Sequence, residues 1–264
     1  MANKIKVAVL GACGKMGSEV VKTVVNSPDT ELVGACDVVF IGNTIKDVLG
    51  IANCDVVISD DYNYIITNNK PDVVVDFAKP FDISKCIFAM ENGVVPIIGT
   101  TGQSKEDTSK LEEVAKKNNI GAMLIPNFAI GAVLMMKFAY EAAKYMGSVE
   151  IIELHHDKKA DAPSGTAIKT ASMIEEARKE SGIEYEPIGM EDRARGELHY
   201  GVPVHSVRLT GLVAHQEVVF GGQGQSLSIR HDSIDRTSFM PGVLITIRKA
   251  KEIKGFVYGL DKLL

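Results

Sequence analysis

The segment HHDKKADAPSGTA, residues 155–167, concentrates side chains that can perform acid–base chemistry. It contains two of the chain's six histidines, His155 and His156, and Lys159 close behind them. Histidine donates or accepts a proton near neutral pH, and the lysine adds a positive charge. The segment therefore predicts proton transfer beside an anionic substrate. Two alternatives stay open: a polar loop without a chemical role, and a metal site, although adjacent histidines match no common ligand spacing.

The end of the same segment, APSGTA, has the composition of a helix start. Pro163 or Ser164 fits the first turn, and Gly165 and Thr166 would present backbone amides at the positive end of the helix. Such amides, together with the Thr166 hydroxyl, can hold a substrate carboxylate. Successive residues of a strand point to opposite faces. The two histidines therefore serve one site only if the preceding strand ends at them.

A second motif, GACGKMG at residues 11–17, lies between a predicted strand (Ile5–Gly11) and a predicted helix (Met16–Asn26). Glycines there allow a tight turn and a close backbone approach to a pyrophosphate, and the helix start offers amides to the phosphates. The spacing is G-x-x-G-x-x-G instead of the common G-x-G-x-x-G. The motif predicts dinucleotide binding; a glycine turn without a ligand is the alternative.

The predicted second strand (Glu31–Asp37) ends in a carboxylate that can accept hydrogen bonds from an adenosine ribose. Asp37 would repel a 2′-phosphate, and the next residues, Val38 and Val39, provide no basic group to attract one. We therefore expect NADH to serve at least as well as NADPH. Lys15 could weaken that preference by reaching a phosphate. The alternative interpretation of Asp37 is a solvated aspartate at the end of a strand.

Two further strand ends carry short motifs. GTTG, at residues 99–102, follows the predicted strand Val94–Gly99. Ligands bind at the carboxyl ends of strands in open α/β sheets, and the small residues of GTTG leave room for a nicotinamide ring, although the motif alone is a weak signal. IPNF, at residues 125–128, ends the predicted strand Gly121–Asn127 and enters the second domain, a position suited to a hinge.

The order of predicted elements indicates an α/β protein of two domains. Strands and helices alternate up to residue 126, which predicts a Rossmann-like domain with a parallel sheet. From residue 127 a long helix, the strand Ser148–His156 and a helix from Pro163 are followed by three segments that predict antiparallel strands. The second domain is thus expected to be α+β with a mainly antiparallel sheet, with residues 191–197 as an exposed loop.

Composition narrows the classes of function. The chain has 264 residues, 45% of them hydrophobic, and a net charge of -5, which disfavours general nucleic-acid binding. Its apolar runs are too short for a signal peptide or a membrane span. Four cysteines without CxxC spacing predict buried thiols in a reducing compartment. We expect a cytoplasmic protein without a membrane or nucleic-acid partner.

The segment ELHHDKKADAPSGTA, residues 153–167, closely resembles the signature of bacterial dihydrodipicolinate reductases, also called 4-hydroxy-tetrahydrodipicolinate reductases. GACGKMG, DFAKP (residues 76–80), GTTG and PNFAIG (residues 126–131) follow in that family's order, so the resemblance covers the whole chain. It implies NAD(P)H-dependent reduction of a cyclic dicarboxylate in lysine and diaminopimelate biosynthesis, by a homotetramer. It also implies that residues 237–264 return to the first domain (1–126), which leaves 127–236 for substrate binding and oligomerisation.

The resemblance also assigns roles. His155 and Lys159 correspond to the catalytic residues, and His156, Gly165 and Thr166 to substrate contacts. The residues that correspond to cofactor positions are Gly11, Ala12, Cys13, Gly14, Lys15, Met16, Asp37, Gly99, Thr100, Thr101, Ile125, Pro126, Asn127 and Phe128. No metal is implied. Lys15 and Lys79 stand where many relatives carry arginine, which keeps the charge but loses the bidentate fork.

Three other functions account less well for the sequence. Aspartate and homoserine dehydrogenases share the domain plan, but their signatures are missing and HHDKKADAPSGTA would be unexplained. A non-catalytic NAD-binding sensor would lack an acid–base pair. A reductase of related imines with shifted activity is a third alternative.

Overall fold

The computed structural model describes residues 4–264, apart from the side chain of Arg193. The described chain forms two compact units: one ends at Phe128 and resumes over Phe239–Leu264, and the other is Ala129–Ser238. The strands are β1 (Ile5–Leu10), β2 (Thr30–Cys36), β3 (Ile58–Ser59), β4 (Val73–Asp76), β5 (Val95–Ile98), β6 (Gly121–Leu124), β7 (Ser148–His155), β8 (Glu197–His199), β9 (Val202–Arg208), β10 (Ala214–Gly222), β11 (Gln225–Ser233) and β12 (Gly255–Tyr258). The helices are α1 (Gly17–Asn26), α2 (Ile45–Leu49), α3 (Tyr62–Tyr64), α4 (Ile83–Glu91), α5 (Lys105–Lys117), α6 (Ile130–Ala143), α7 (Gly165–Ser181) and α8 (Met240–Lys249).

The first unit is built on a parallel sheet whose described strands follow the order β12-β6-β5-β4-β1-β2-β3. Every neighbouring pair in this sheet is parallel. All residues of β4, β5 and β6 are buried, as expected for strands covered on both faces. The predicted Rossmann-like architecture is confirmed, and its carboxyl edge carries the sequence motifs of this half.

The second unit has a mixed sheet with the strand order β11-β10-β7-β9-β8. Helices α6 and α7 pack on one face of it, because Ala139, Ala171 and Ile174 share a core with Ile151 and Phe220 of the sheet. Residues of β7 alternate between buried and half-buried positions, the pattern of a strand covered on one face. The inward face of β7 therefore points at the helices, and its last residues belong to the predicted site.

The predicted mainly antiparallel sheet is confirmed, because every neighbouring pair except one is antiparallel. The exception is β9, which is parallel to β7, because the connection between the two strands is a crossover that contains α7 and β8. The prediction for residues 191–197 was wrong. Residues 191–197 are not only a loop, since Arg193–Arg195 forms a helical turn and β8 begins at Glu197. Strand β8 is short and mostly exposed, so it lacks the apolar signal of a strand.

The unit boundaries also differ by two residues from the predicted ones. Phe128 belongs to the first unit, where its ring packs against Phe77 with the ring centroids 5.6 Å apart. Ser238 belongs to the second, where its hydroxyl donates to the carbonyl of Asp235 at 2.7 Å. Such side-chain contacts decide a boundary that composition alone leaves approximate.

The turn between β1 and α1 is tight, and its glycines have different roles. Gly11 has a φ of +77°, and a Cβ there would lie 2.9 Å from the amide nitrogen of Ala78. A Cβ on Gly17 would lie 1.9 Å from the carbonyl oxygen of Gly11. At Gly14 the nearest atom is that same oxygen, at 3.3 Å. Packing therefore requires glycine at Gly11 and Gly17, whereas a Cβ on Gly14 would make one tight contact that a small shift can relieve.

We expect Gly17→Ala to lower the free energy of unfolding by about 1–3 kcal/mol or more, because the new methyl group must displace the backbone of the turn. Gly14→Ala is the matched control and should lower it by less than Gly17→Ala does, because its methyl group would lie 3.3 Å from the nearest atom instead of 1.9 Å. Urea unfolding of both variants measures the difference. Equal destabilisation by the two substitutions would contradict the prediction that packing requires glycine more strictly at position 17 than at position 14.

Candidate active site

The glycine-rich turn is fastened to the end of β2 by backbone hydrogen bonds. The amides of Gly11 and Ala12 donate to the carbonyl of Cys36 at 2.8 and 3.2 Å. Gly14 and Lys15 are exposed, and α1 begins at Gly17, with Met16 as an N-cap that makes no side-chain hydrogen bond to the first amides. These uncapped amides and the exposed Gly14 fit a dinucleotide pyrophosphate.

Asp37 holds the turn as well as facing the predicted ribose site. One carboxylate oxygen accepts the amide of Cys13 at 2.8 Å, and the other accepts the amides of Val38 and Val39 at 2.7 and 3.3 Å. Cys13 is half-buried instead of buried as predicted. Its burial, followed by the charge of Asp37, raises its pKa to about 11, so it remains a thiol. Val38 and Val39 are exposed and bring no positive charge to this strand end.

The DFAKP and GTTG motifs are joined through Asp76, a buried carboxylate at the end of β4. It accepts the amide of Ala78 at 2.8 Å, and its carbonyl accepts the amide of Gly99 at 2.9 Å. The Thr100 hydroxyl donates to the carbonyl of Ala78 at 2.8 Å. A Cβ on Gly99 would lie 2.4 Å from the Phe77 ring. Glycine at this position therefore lets the two loops meet.

A cavity of about 600 Å³ lies beside the GTTG loop within the first unit. Predicted cofactor residues Thr100, Thr101 and Pro126 line it, together with Tyr258 of β12. Ile125 and Phe128 are buried, so their side chains do not offer an exposed surface to a ligand. The structure thus brings together the two strand-end motifs whose residues correspond to cofactor positions.

In the second unit, β7 places Glu153 and His155 on its inward face. Alternate residues of the strand are buried there, including Val149 and Ile151. Nδ1 of His155 is hydrogen-bonded to the carboxylate of Glu153, which has no exposed surface. His156 follows the end of the strand and is exposed. The two predicted histidines therefore lie at one strand end, but only the first points inward.

Lys159 is not a free cation, because its ammonium nitrogen lies 2.6 and 2.7 Å from the carboxylate oxygens of Asp161. Arg208 of β9 donates to the carbonyl of Asp161 at 2.7 Å and to both carboxylate oxygens of Glu153, at 2.8 and 3.0 Å. One arginine thus connects the His155 side of the site to the Lys159 side.

Helix α7 begins at Gly165, two residues after the predicted Pro163, and Ser164 is its N-cap instead of a residue of its first turn. The Ser164 hydroxyl accepts the amide of Ala167 at 3.2 Å, and the Ser164 amide donates to Glu153 at 3.3 Å. Gly165 is exposed and Thr166 half-buried at the first two helical positions. Amides at these positions are the ones that a helix start offers to an anion.

Sequence reasoning missed three residues of this network: Glu153, Asp161 and Arg208. A signal existed for Glu153, because a period of two places this charged residue on the inward face between apolar ones. Its partner lies 55 residues away, and no local pattern links the two. Among the described residues, no group of three or more His, Cys, Asp or Glu side chains could hold a metal ion, and no described helix is long and apolar enough to cross a membrane.

Comparison with known proteins decides the family. The model of the dihydrodipicolinate reductase N-terminus matches residues 5–128, and that of the C-terminus matches residues 131–264. The chain belongs to the dihydrodipicolinate reductase family. The 4-hydroxy-tetrahydrodipicolinate reductase of Syntrophomonas wolfei is 49% identical over 100% of both chains, and that of Listeria welshimeri is 49% identical over 98% of this chain and 100% of its own.

Solved structures agree with this membership. The dipicolinate-bound dihydrodipicolinate reductase from Paenisporosarcina sp. TG-14 superposes with a TM-score of 0.85 at 45% identity, over 99% of this chain and 100% of that one. An amine dehydrogenase from Mycobacterium smegmatis, at 14% identity and a TM-score of 0.70, over 98% of this chain and 96% of that one, shares the fold alone. Family members are NAD(P)H-dependent reductases, so the amino-acid dehydrogenase and sensor alternatives are not supported.

The buried Asp76 should make stability depend on pH. Burial raises its pKa from 3.8 to about 6, against the opposing effects of the Ala78 amide, the Lys85 charge and the Thr100 hydroxyl. Because the native pKa is raised, Asp76 favours the folded state below pH 3.8, and this contribution is lost as the pH rises to about 6.

We therefore expect the free energy of unfolding of the wild type, relative to Asp76→Asn, to fall by about 2–3 kcal/mol over that pH range and to stay level above it. The asparagine oxygen still accepts the Ala78 amide, so the difference isolates the charge. Urea unfolding at a series of pH values measures it. A difference that is the same at both ends of the range would contradict the prediction.

Proposed function

We propose that this protein catalyses the NAD(P)H-dependent reduction of 4-hydroxy-tetrahydrodipicolinate to tetrahydrodipicolinate, a step of lysine and diaminopimelate biosynthesis. The observation that carries the proposal is the network at the end of β7, in which one carboxylate contacts His155, Arg208 and the start of α7. It supplies an acid–base group and anion-binding amides in a chain that belongs to this family. The substrate is a dianion, which matches these groups.

The residues of the second unit have separate tasks in this proposal. The amides of Gly165 and Thr166 hold one substrate carboxylate at the helix start, and His156 and Lys159 contribute further polar contacts. Lys159 also stabilises negative charge or helps to expel water from the hydroxylated ring. Asp161 holds the Lys159 ammonium through its two carboxylate oxygens, so the lysine keeps one position until an anionic substrate competes for it.

The hydroxylated ring first loses its hydroxyl group and a proton from the neighbouring carbon as water, which leaves a double bond between these two carbons. The reduction then adds a hydride to the carbon that carried the hydroxyl group and a proton to the neighbouring carbon. The reduced nicotinamide, when bound, supplies the hydride. His155 holds the proton that the second carbon receives and regains one from solvent afterwards. In the first unit, Gly11 to Met16 would hold the pyrophosphate, Asp37 the ribose, and the GTTG and IPNF loops the nicotinamide.

Activity and the role of Lys159 can be tested in one assay. The oxidation of NADH and NADPH is followed by absorbance while dihydrodipicolinate synthase supplies the substrate in situ. Lys159→Ala should lose kcat by about 10²–10⁴-fold with cofactor affinity intact, because the charge that faces the dianion is removed. Lys158→Ala, one residue earlier and exposed, is the control and should keep wild-type turnover. Near-normal turnover of Lys159→Ala would overturn the assignment.

We also propose that NADH is used at least as well as NADPH. The Asp37 carboxylate would repel a 2′-phosphate, and the exposed Val38 offers it no positive partner. Val38→Arg should shift the ratio of kcat/KM values towards NADPH by about tenfold or more, since it adds one charge-assisted contact. Val38→Leu changes the bulk without the charge and should leave the ratio unchanged. A strong NADPH preference in the wild type would contradict the proposal.

The homotetramer implied by the resemblance and the cytoplasmic location expected from the composition stay predictions. The open face of the second sheet, which α6 and α7 do not cover, is compatible with assembly.

A further inference from the structure

Glu153 is a buried carboxylate with an unusually full set of hydrogen-bond donors. It has no exposed surface. Its oxygens accept hydrogen bonds from Nδ1 of His155, from both terminal nitrogens of Arg208 and from the amide of Ser164. A buried charge is stable only when it is paired and hydrogen-bonded. Its position beside the proposed acid–base group therefore suggests that the buried charge serves the reaction.

Glu153 is ionised over the range in which an enzyme works. Burial acts to raise its pKa, but hydrogen bonds from His155, Arg208 and Ser206 outweigh burial and lower the pKa from 4.5 to about 2. An ionised carboxylate only accepts hydrogen bonds. The ring nitrogen of His155 that faces it, Nδ1, must therefore carry a hydrogen. In the neutral ring, Nε2 is then the acceptor.

We propose that Glu153 is a positioning residue that fixes one tautomer and one ring orientation of His155, so that Nε2 is the atom that carries the catalytic proton. The inference rests on the proposed function for the role of His155. A histidine without such a partner populates both tautomers and several ring orientations, and only one of them presents the proton in the productive direction. Glu153 removes the others before the substrate binds.

The register of the second sheet explains how the contact is built. In the parallel pair, His155 is opposite Arg208 and Glu153 is opposite Ser206. On the other side, β10 places the small apolar Ala214 beside His155. Arg208 is thus the charged neighbour that β9 contributes, and it can clamp Glu153 with two hydrogen bonds while it holds the Asp161 carbonyl. The carboxylate cannot turn away from the imidazole.

The test is Glu153→Gln, which keeps the size of the side chain and removes the charge. An amide can accept through its oxygen or donate through its nitrogen, so it accommodates either tautomer of His155. We expect kcat to fall by about 10²–10⁴-fold, the range that a positioned acid–base group contributes, with little change in KM or in NADH binding. Glu150→Gln is the matched control.

Glu150 lies on the same strand and also pairs with a histidine and an arginine, His205 and Arg195, but on the opposite face. The control should keep kcat within about twofold of the wild type, because surface substitutions away from a site have small effects. The control thus measures how much kcat changes when a carboxylate of the same strand is lost that does not contact His155.

A second readout follows the imidazole directly. Spectra of protein labelled with ¹⁵N in its six histidine rings report which nitrogen carries the hydrogen, and subtraction of the His155→Gln spectrum assigns the signals of His155. In the wild type the neutral ring should carry its hydrogen on Nδ1. In Glu153→Gln a second population with the hydrogen on Nε2 should be present. An unchanged His155 spectrum would overturn the proposal, whatever happens to kcat.

A merely structural role is tested with Glu153→Gln/Arg208→Met. Removal of both charges leaves no unpaired arginine, so the double variant should recover the stability that Glu153→Gln loses. It does not restore the single tautomer of His155, so kcat should stay low. Recovery of kcat together with stability would overturn the proposal. If the wild type shows no reductase activity, the proposed function fails by itself, and the ¹⁵N spectra still decide whether Glu153 fixes the tautomer.

Discussion

The buried ion pair between Glu153 and Arg208 is the constraint on which the second unit's site depends. Removing two charges from water is costly, and breaking a buried pair by deleting one partner costs about 3–5 kcal/mol. The cost is offset here because the carboxylate accepts hydrogen bonds from Arg208, His155 and the start of α7. The same pair therefore fixes the end of β7, the loop before the helix and the direction of the imidazole.

Carboxylates at strand ends play a comparable part in the first unit. Asp37 accepts amides of the glycine-rich turn and of its own loop, and Asp76 joins two loops through the Ala78 amide. Each charge thus holds backbone that a cofactor would contact, before any ligand binds. In both units, carboxylates with little or partial exposure orient the groups that are proposed to face ligands, which would limit the reorganisation needed on binding.

The fold alone does not specify the reaction. Proteins with 12–16% identity, among them an amine dehydrogenase and a myo-inositol 2-dehydrogenase, share the architecture with TM-scores of 0.70 and 0.59. In the proposed function, the reaction depends on the strand end with His155, the loop with Lys159 and the helix start at Gly165. Function belongs to such sites on a common scaffold, and in this chain the proposed residues occupy one short segment.

The sequence by itself determined the parallel sheet, the glycine-rich turn and the segment from His155 to Thr166, because each depends on local spacing: strand–helix alternation, a turn that needs glycine, a cap before a helix. Only the tertiary structure decided which residues hold that segment in place. Arg208 reaches Glu153 across 55 residues because β9 pairs in parallel with β7, and Asp37 reaches Cys13 across 24. These contacts follow from the register of strands distant along the chain, which no local pattern encodes.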